Sequence, residues 1–395
     1  MRRLWGFVLL ILWLLAACQS PPRVVEVTRL LPQGTAVSTP PATIKEVEVT
    51  RIVTGTVMII IEEPIVQQQP PLGSAERPFQ LLFAPVVDTA VLSSHAQVLA
   101  DWLQQQTGKQ FQVGIVDDEQ AVINLMCAAP EETIGFLTAV GLALANRQCG
   151  VQAVNTAVLE NGLSWQAGMI AVRRDSGIET LADLDGKRWA VPDEASIVNY
   201  HYFRALLAAQ GIEPSEIVVV PGDNTAMLAV YNGEVDFATG SFVPPILPYS
   251  EREWQFGEDD PELWQRTGFS PIRSGIGYVI VIGRPEHGGY RVRDARSGIF
   301  DSTRGVFDET RILTLSAPIP ADSVAVSGEF PFALARQLGP LLTQFAASEQ
   351  CQQSLCATDF YGWTGLETAV STNYDPLYFM IDTLGWTDET LLLSE

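Results

Sequence analysis

From Phe79 onward the chain alternates short apolar runs with amphipathic stretches, and no other feature restricts its possible folds so tightly. Phe79 to Ala84 reads as a strand. Ala90 to Thr107 brings Val91, Val98, Leu99, Trp102 and Leu103 to one side of a helix that Gly108 stops. Phe111 to Val116 reads as the next strand and Gln120 to Met126 as the next helix. A βαβ alternation of this kind predicts a parallel or mixed sheet covered by helices on both faces. The 317 residues from 79 to 395 favour two lobes over a single core, and 47% hydrophobic content is enough to fill them.

The first eighteen residues follow a different logic. Arg2 and Arg3 precede an apolar run from Leu4 to Leu15, which ends in Leu15-Ala16-Ala17-Cys18. A positive start, an apolar core of about a dozen residues and small residues before a cut make a secretion signal, too short to span a bilayer comfortably. The pattern resembles bacterial lipoprotein signals, which implies a signal peptide over 1–17 and Cys18 as the acylated mature N-terminus. A short membrane anchor with an ordinary Ala-Xaa-Ala cut is the competing reading.

Residues 18–78 read as lipid anchor, stalk and linker. Val25-Glu26-Val27-Thr28-Arg29-Leu30 recurs as Val47-Glu48-Val49-Thr50-Arg51-Ile52, and each copy has strand-like alternation, as does Val57 to Ile61. Too little apolar surface is present for an independent core. Gln67 to Ser74, with two prolines and a glycine, reads as a linker.

Setting Cys18 aside leaves Cys127, Cys149, Cys351 and Cys356, an even number suited to an oxidising compartment. Two local pairs are the simplest arrangement. A Cys127–Cys149 bridge closes a loop of about twenty residues and is worth roughly 3 kcal/mol. Cys351 and Cys356 would lie about 140° apart around a continuous helix, so any helix there must end between them. No histidine lies near either pair at zinc-ligand spacing, and neither a metal nor another cofactor is expected.

With 46 acidic and 24 basic side chains, the chain carries a net charge of −22. Such a surface disfavours nucleic acid and anionic membranes as partners, so a lipid anchor is the only membrane contact expected. Catalysis is not expected either. His95, His201 and His287 are the only histidines, none in a metal-type pattern; there is no Gly-Xaa-Ser-Xaa-Gly elbow, and Gly275-Ile276-Gly277 lacks the third glycine of a dinucleotide loop.

Ile170-Ala171-Val172-Arg173-Arg174-Asp175-Ser176-Gly177-Ile178, then Leu181-Ala182-Asp183-Leu184-Asp185-Gly186-Lys187, Asp193-Glu194-Ala195-Ser196, a helix ending at Gly211, and Gly222-Asp223-Asn224-Thr225-Ala226 follow one another at particular spacings. Farther on come Leu315-Ser316-Ala317-Pro318-Ile319-Pro320-Ala321-Asp322 and Phe360-Tyr361-Gly362-Trp363. Together this series resembles the periplasmic solute-binding proteins of phosphonate, phosphite and phosphate ABC importers. The resemblance implies an α/β, two-lobed type II periplasmic-binding-protein fold with mixed sheets and a hinge, preceded here by the extended stalk. Lobe I would be 79–173 plus 313–395 and lobe II 174–312, with hinge crossings near Val172 and Leu315. An insertion over about 241–311 is acidic and aromatic around Trp254 to Trp264. The implied function is capture of a small molecule between the lobes and its delivery to permease subunits, by a monomer. A ligand sensor of the same fold and a surface lipoprotein with a vestigial cleft are the alternatives.

Candidate ligand-binding residues are Glu119, Thr138, Ser196, Asn199, Asn224, Thr225 and Asp322. Ser196 opens a helix whose first free N–H groups can hold an anion or a polar group, and Asn224 with Thr225 opens another; each can also be a plain cap. Asp322 matches the family's return-strand aspartate or is a turn residue, and Glu119 with Asp118 faces the same choice between site and cap. Several positions depart from the family. Ser196-Ile197-Val198-Asn199 stands where phosphonate binders resemble Ser-Thr-Ser-Gly, Asn224 aligns with a histidine, and Glu119 and Leu142 align with tyrosines. An acid in place of a phenol makes a dianion costly to bury, so a ligand other than a phosphonate is expected.

Overall fold

Strand β1 (Phe79–Phe83) opens the folded body, and helix α1 (Thr89–Thr107) returns over it. Asp88 starts α1 by accepting a hydrogen bond from the amide of Ala90, and Gly108 ends it in the left-handed region at φ 67°. The buried stripe of α1 is Leu92, Ala96, Leu99, Ala100, Trp102 and Leu103. Val91 and Val98, expected on that stripe, lie half-buried at its edge. The computed structural model describes residues 69–250, 252–282 and 289–386. The signal segment, Cys18, both repeat copies and Val57 to Ile61 lie outside the described residues, which all belong to one compact unit, Gln67–Glu395.

The chain continues through β2 (Phe111–Ile115), α2 (Glu119–Ala128), β3 (Thr133–Leu137), α3 (Ala139–Cys149) and β4 (Gln152–Val158). It then changes sheets and runs through β5 (Trp165–Arg173), β6 (Arg188–Val191), α4 (Tyr202–Ala209), β7 (Glu216–Val219), α5 (Gly222–Asn232) and β8 (Phe237–Phe242). A small sheet of β9 (Ile272–Arg273), β10 (Val279–Ile282) and β11 (Gly289–Val292) follows, then β12 (Thr310–Leu315) and β13 (Ile319–Pro320). The chain closes with β14 (Ser323–Val326), α6 (Phe332–Ala346), β15 (Gly365–Thr368) and α7 (Asp375–Leu384).

The first sheet has the order β15-β4-β14-β3-β1-β2. Strands β1, β2 and β3 are parallel, and β14 and β15 are antiparallel to their neighbours. The second has the order β12-β5-β8-β6-β7, with β13 also pairing β5. Both sheets are mixed, as expected. The whole of β5 pairs with β8 and with β12 and β13 of the second sheet, so the chain leaves the first sheet after Val158, earlier than Val172. It returns only after Pro320, later than Leu315, because β13 still pairs with β5 there. Sequence placed both crossings inside these strands because an apolar run does not reveal its pairing partner.

Strand β5 is buried on both faces. Ile170 and Val172 join a core with Trp189, Phe203 and Phe237 that continues to α2, α3 and the α7 residues Leu377, Met380 and Ile381. Met169 and Ala171 face the opposite way, into a core with Met227, Trp254, Trp264 and Phe307. The far face of the first sheet packs on α1 and α6 through Leu81, Phe83, Leu99, Leu342 and Phe345. Burying both faces of a sheet in this way is what covering helices on each side achieve.

Cys127–Cys149 joins the C-terminal ends of α2 and α3, with Cα atoms 5.5 Å apart. Cys351–Cys356 spans the turn Glu349–Gln353, which ends between the two cysteines, at a Cα separation of 5.0 Å. Both pairs are those read from sequence. The segment after β8 is anchored to the second sheet by buried Trp254 and Trp264 and by Arg296, which is 0% exposed. Arg296 binds Asp294 at 2.9 and 3.0 Å and Glu262 at 2.7 Å, and Glu262 also accepts from the amide of Ile312.

Candidate ligand-binding site

Where the first sheet's helix α3 approaches the crossing strands, a cavity of about 280 Å3 opens. Three of the residues expected from sequence line it: Thr138, Ser196 and Asp322. Gln166, Asp193, Ile197, Val198 and Pro320 complete much of the wall. The described lining residues therefore include two carboxylates and no cationic side chain.

Thr138 caps α3, its hydroxyl accepting from the amide of Gly141 at 3.0 Å. It is held from behind by Glu119. The Thr138 amide donates to Glu119 Oε1 at 2.6 Å and its hydroxyl to Oε2 at 2.8 Å. Glu119 is only 8% exposed and lies outside the cavity lining, joined to it by the two hydrogen bonds to Thr138. The carboxylate packs flat on Gly141, where any Cβ would come within 2.2 Å of it. Gly141 is the residue that lets α2 and α3 approach so closely.

Ser196 caps a single π turn, Ile197–His201, that leads into α4. Its hydroxyl accepts from the amide of Asn199 at 3.1 Å, and its carbonyl accepts from the amides of Tyr200 and His201. The amides of Ile197 and Val198 precede the first intrahelical bonds of that turn. The side chains of Ile197 and Val198 line the cavity as apolar groups, where a phosphonate binder would offer hydroxyls. The turn packs on β5 at Gly168, where a Cβ would come within 2.3 Å of the Val198 carbonyl.

The other candidates point elsewhere. Asn199 is 7% exposed and donates to Ser241 at 3.2 Å, while its Oδ1 faces Gly168. Asn224 lies against Gly298, and Thr225 donates to the carbonyl of Pro221 at 2.9 Å. Helix α5 starts at Gly222, two residues before Asn224, and Asp223 accepts from the amide of Ser241.

A profile described as ABC transporter, phosphonate, periplasmic substrate-binding protein matches residues 81–374, most of the folded body. The chain belongs to that family. It is thus an extracytoplasmic solute-binding component of an ABC importer, working by binding a small molecule and meeting the importer's membrane subunits. Among solved structures, a Xanthomonas citri protein bound to chloride is similar at 16% identity, over 78% of this chain and 97% of that one, with a TM-score of 0.43. A binding component of an ABC phosphonate transporter from Pseudomonas aeruginosa shares 13% identity over 80% and 92% of the two chains, with a TM-score of 0.38. A Prochlorococcus marinus protein in complex with methylphosphonate shares 10% identity over 78% and 98%, also at 0.38. No curated protein matches the chain.

One residue of the family's C-terminal signature, which sequence reasoning did not nominate, lies near the site but outside its lining. Tyr361 stacks near Phe136 at 6.3 Å and Trp363 at 4.6 Å, within electrostatic reach of both Asp322 and Glu119. Burial, followed by those two carboxylates, pushes its hydroxyl above the usual tyrosine range, so it stays protonated and neutral. Its place in Phe360-Tyr361-Gly362-Trp363 was the available signal. Asp193 was likewise visible beside Ser196.

Proposed function

We propose that this solute-binding protein takes a neutral, zwitterionic or cationic solute in the cavity of Thr138, Ser196 and Asp322, in preference to a phosphonate or phosphate dianion. The lining of two carboxylates without a cation carries this reading. Two unit charges about 5 Å apart interact by about 3 kcal/mol at an effective dielectric of about 20, which opposes an anion and favours a cation. Ile197 and Val198 reinforce it, since neither side chain can donate to a phosphoryl oxygen.

The two sheets act as lobes I and II, closing on the solute about the crossing segments 159–164 and 321–322 as hinges. Cys18 anchors the mature chain by lipid, residues 19–66 hold the binding body, a compact unit that begins at Gln67, away from the membrane, and the protein works as a monomer. Replacing Cys18 with Ser should abolish processing and membrane retention; normal fractionation of Cys18→Ser would refute the anchor.

Calorimetry with methylphosphonate and inorganic phosphate, against glycine betaine, β-alanine and putrescine, tests the ligand class. A solute present at 100 times its dissociation constant should raise stability by about 2.7 kcal/mol. Asp322→Asn should weaken a cationic solute about tenfold, the ordinary scale of one charge-assisted contact. Ile197→Thr with Val198→Ser should improve methylphosphonate binding. Micromolar binding of methylphosphonate by the unmodified protein would overturn the reading, and silence from every solute class would favour a structural lipoprotein.

A further inference from the structure

The segment inserted after β8 and the chain leading into β5 enclose a second cavity, of about 610 Å3, that shares no lining residue with the first. This volume lies within the ~300–1,000 Å3 range of small-molecule pockets. Three aromatic rings stand in its wall, those of Trp165, Trp254 and Phe256. Trp165 meets Phe256 edge-on at 6.2 Å between ring centroids, and Phe256 meets Trp254 edge-on at 6.0 Å. Phe256 is 39% exposed, a large ring left without full cover.

Arg293 enters this frame half-buried, donating Nε to the carbonyl of Pro244 at 2.9 Å and Nη1 to that of Asn161 at 3.4 Å. Both acceptors are neutral, and among the described residues no carboxylate forms an ion pair with it. Burial and the neighbouring Arg291 lower its pKa from the usual value, the direction expected of an uncompensated cation. The other lining guanidinium differs. Arg252 is matched by Asp259 through two hydrogen bonds of 2.5 and 2.7 Å, and Asp259 is held down at about 2 by that pairing. Glu253 also lines the cavity, but it is exposed and its charge is screened by water.

A half-buried guanidinium with neutral partners, lining one cavity with exposed Phe256, half-buried Trp165 and buried Trp254, suits one kind of guest. We propose that this cavity is a binding site for a monoanion carrying a flat, apolar ring system, its acid group on Arg293 and its ring against Trp165, Trp254 and Phe256. The apolar body gains from burial against the rings, and the acid supplies a counter-charge that no described residue gives Arg293 in an ion pair. The proposal does not depend on the ligand class assigned to the cavity of Ser196.

Titration of the full protein with 2-naphthoate, and with the uncharged isostere 2-naphthamide, tests it. 2-Naphthoate should bind about tenfold or more tightly than 2-naphthamide. Arg293→Gln should erase that gap, and Arg293→Lys should keep part of it. Phe256→Ala, at an exposed position that leaves the fold intact, should weaken both probes several-fold. Thermal unfolding checks that each variant is folded; should Arg293→Gln be unfolded, Arg293→Lys and Phe256→Ala still decide. Equal affinity of the two probes, no binding of 2-naphthoate, a gap that survives Arg293→Gln, or indifference to Phe256→Ala would each overturn the proposal.

Discussion

Acidifying the protein from about pH 7.5 to about pH 5 should cost about 2 kcal/mol of folding stability through His201 alone. The ring is 7% exposed, lies edge-on to Trp386 at 4.7 Å, and has a buried Nδ1 without a hydrogen-bond partner. Burial, then the nearby Arg204 charge, lowers its pKa from 6.5 to about 4, with Asp193 opposing. A histidine depressed in the folded state contributes stability that is complete above its unfolded pKa and is lost as the pH falls towards the folded one. The loss here therefore runs between 6.5 and about 4. At pH 5 the unfolded chain is protonated and the folded ring still mostly neutral. About 1.5 pH units below 6.5, at about 1.4 kcal/mol per unit, give the 2 kcal/mol. Urea unfolding of the unmodified protein and of His201→Phe at both pH values isolates the effect, because other groups titrate alike in both. Phe keeps the ring contacts and removes the titration. If the two proteins lose the same stability on acidification, the buried-imidazole argument fails.

Gly141→Ala should destabilise by about 1–3 kcal/mol and weaken solute binding, since its Cβ would fall within 2.2 Å of the Glu119 carboxylate and displace it from Thr138; an unchanged melting temperature would contradict this. Glu262→Gln, which removes one charge partner from fully buried Arg296, should cost about 2–3 kcal/mol and speed hydrogen exchange in the segment around Trp254 and Trp264. Exchange confined to other regions would show that Asp294 suffices to anchor the insertion. Replacing both Cys127 and Cys149 with Ala should lower unfolding stability by about 3 kcal/mol, measured by urea titration with and without reductant on the unmodified protein.

The features legible in sequence are those whose physical cause lies within a few residues. Asp118 and Ser196 cap helices by bonding amides three residues on, and Gly108 ends α1 by a backbone angle that glycine adopts freely. The disulfides were legible because each joins neighbours along the chain. Alternation of strands with amphipathic helices likewise specified an α/β body, because each helix needs a sheet on which to bury its apolar stripe.

Pairing and aim were decided only by the tertiary structure. β5 is apolar on both faces, so no alternation marked which sheet it joins, and its partners β8 and β12 are far along the chain. Glu119 carried the same acidic character whether it lined the cleft or stood behind it; the close approach of α2 and α3 over Gly141 put it on Thr138. Asn199 and Asn224 sit at helix starts, as Ser196 does, yet the rotation of each helix against its sheet turned them to Ser241 and Gly298. Tyr361 reaches Asp322 and Glu119 only because the C-terminal segment folds back over β1 and β3, a contact between residues too distant in sequence for any local pattern to record.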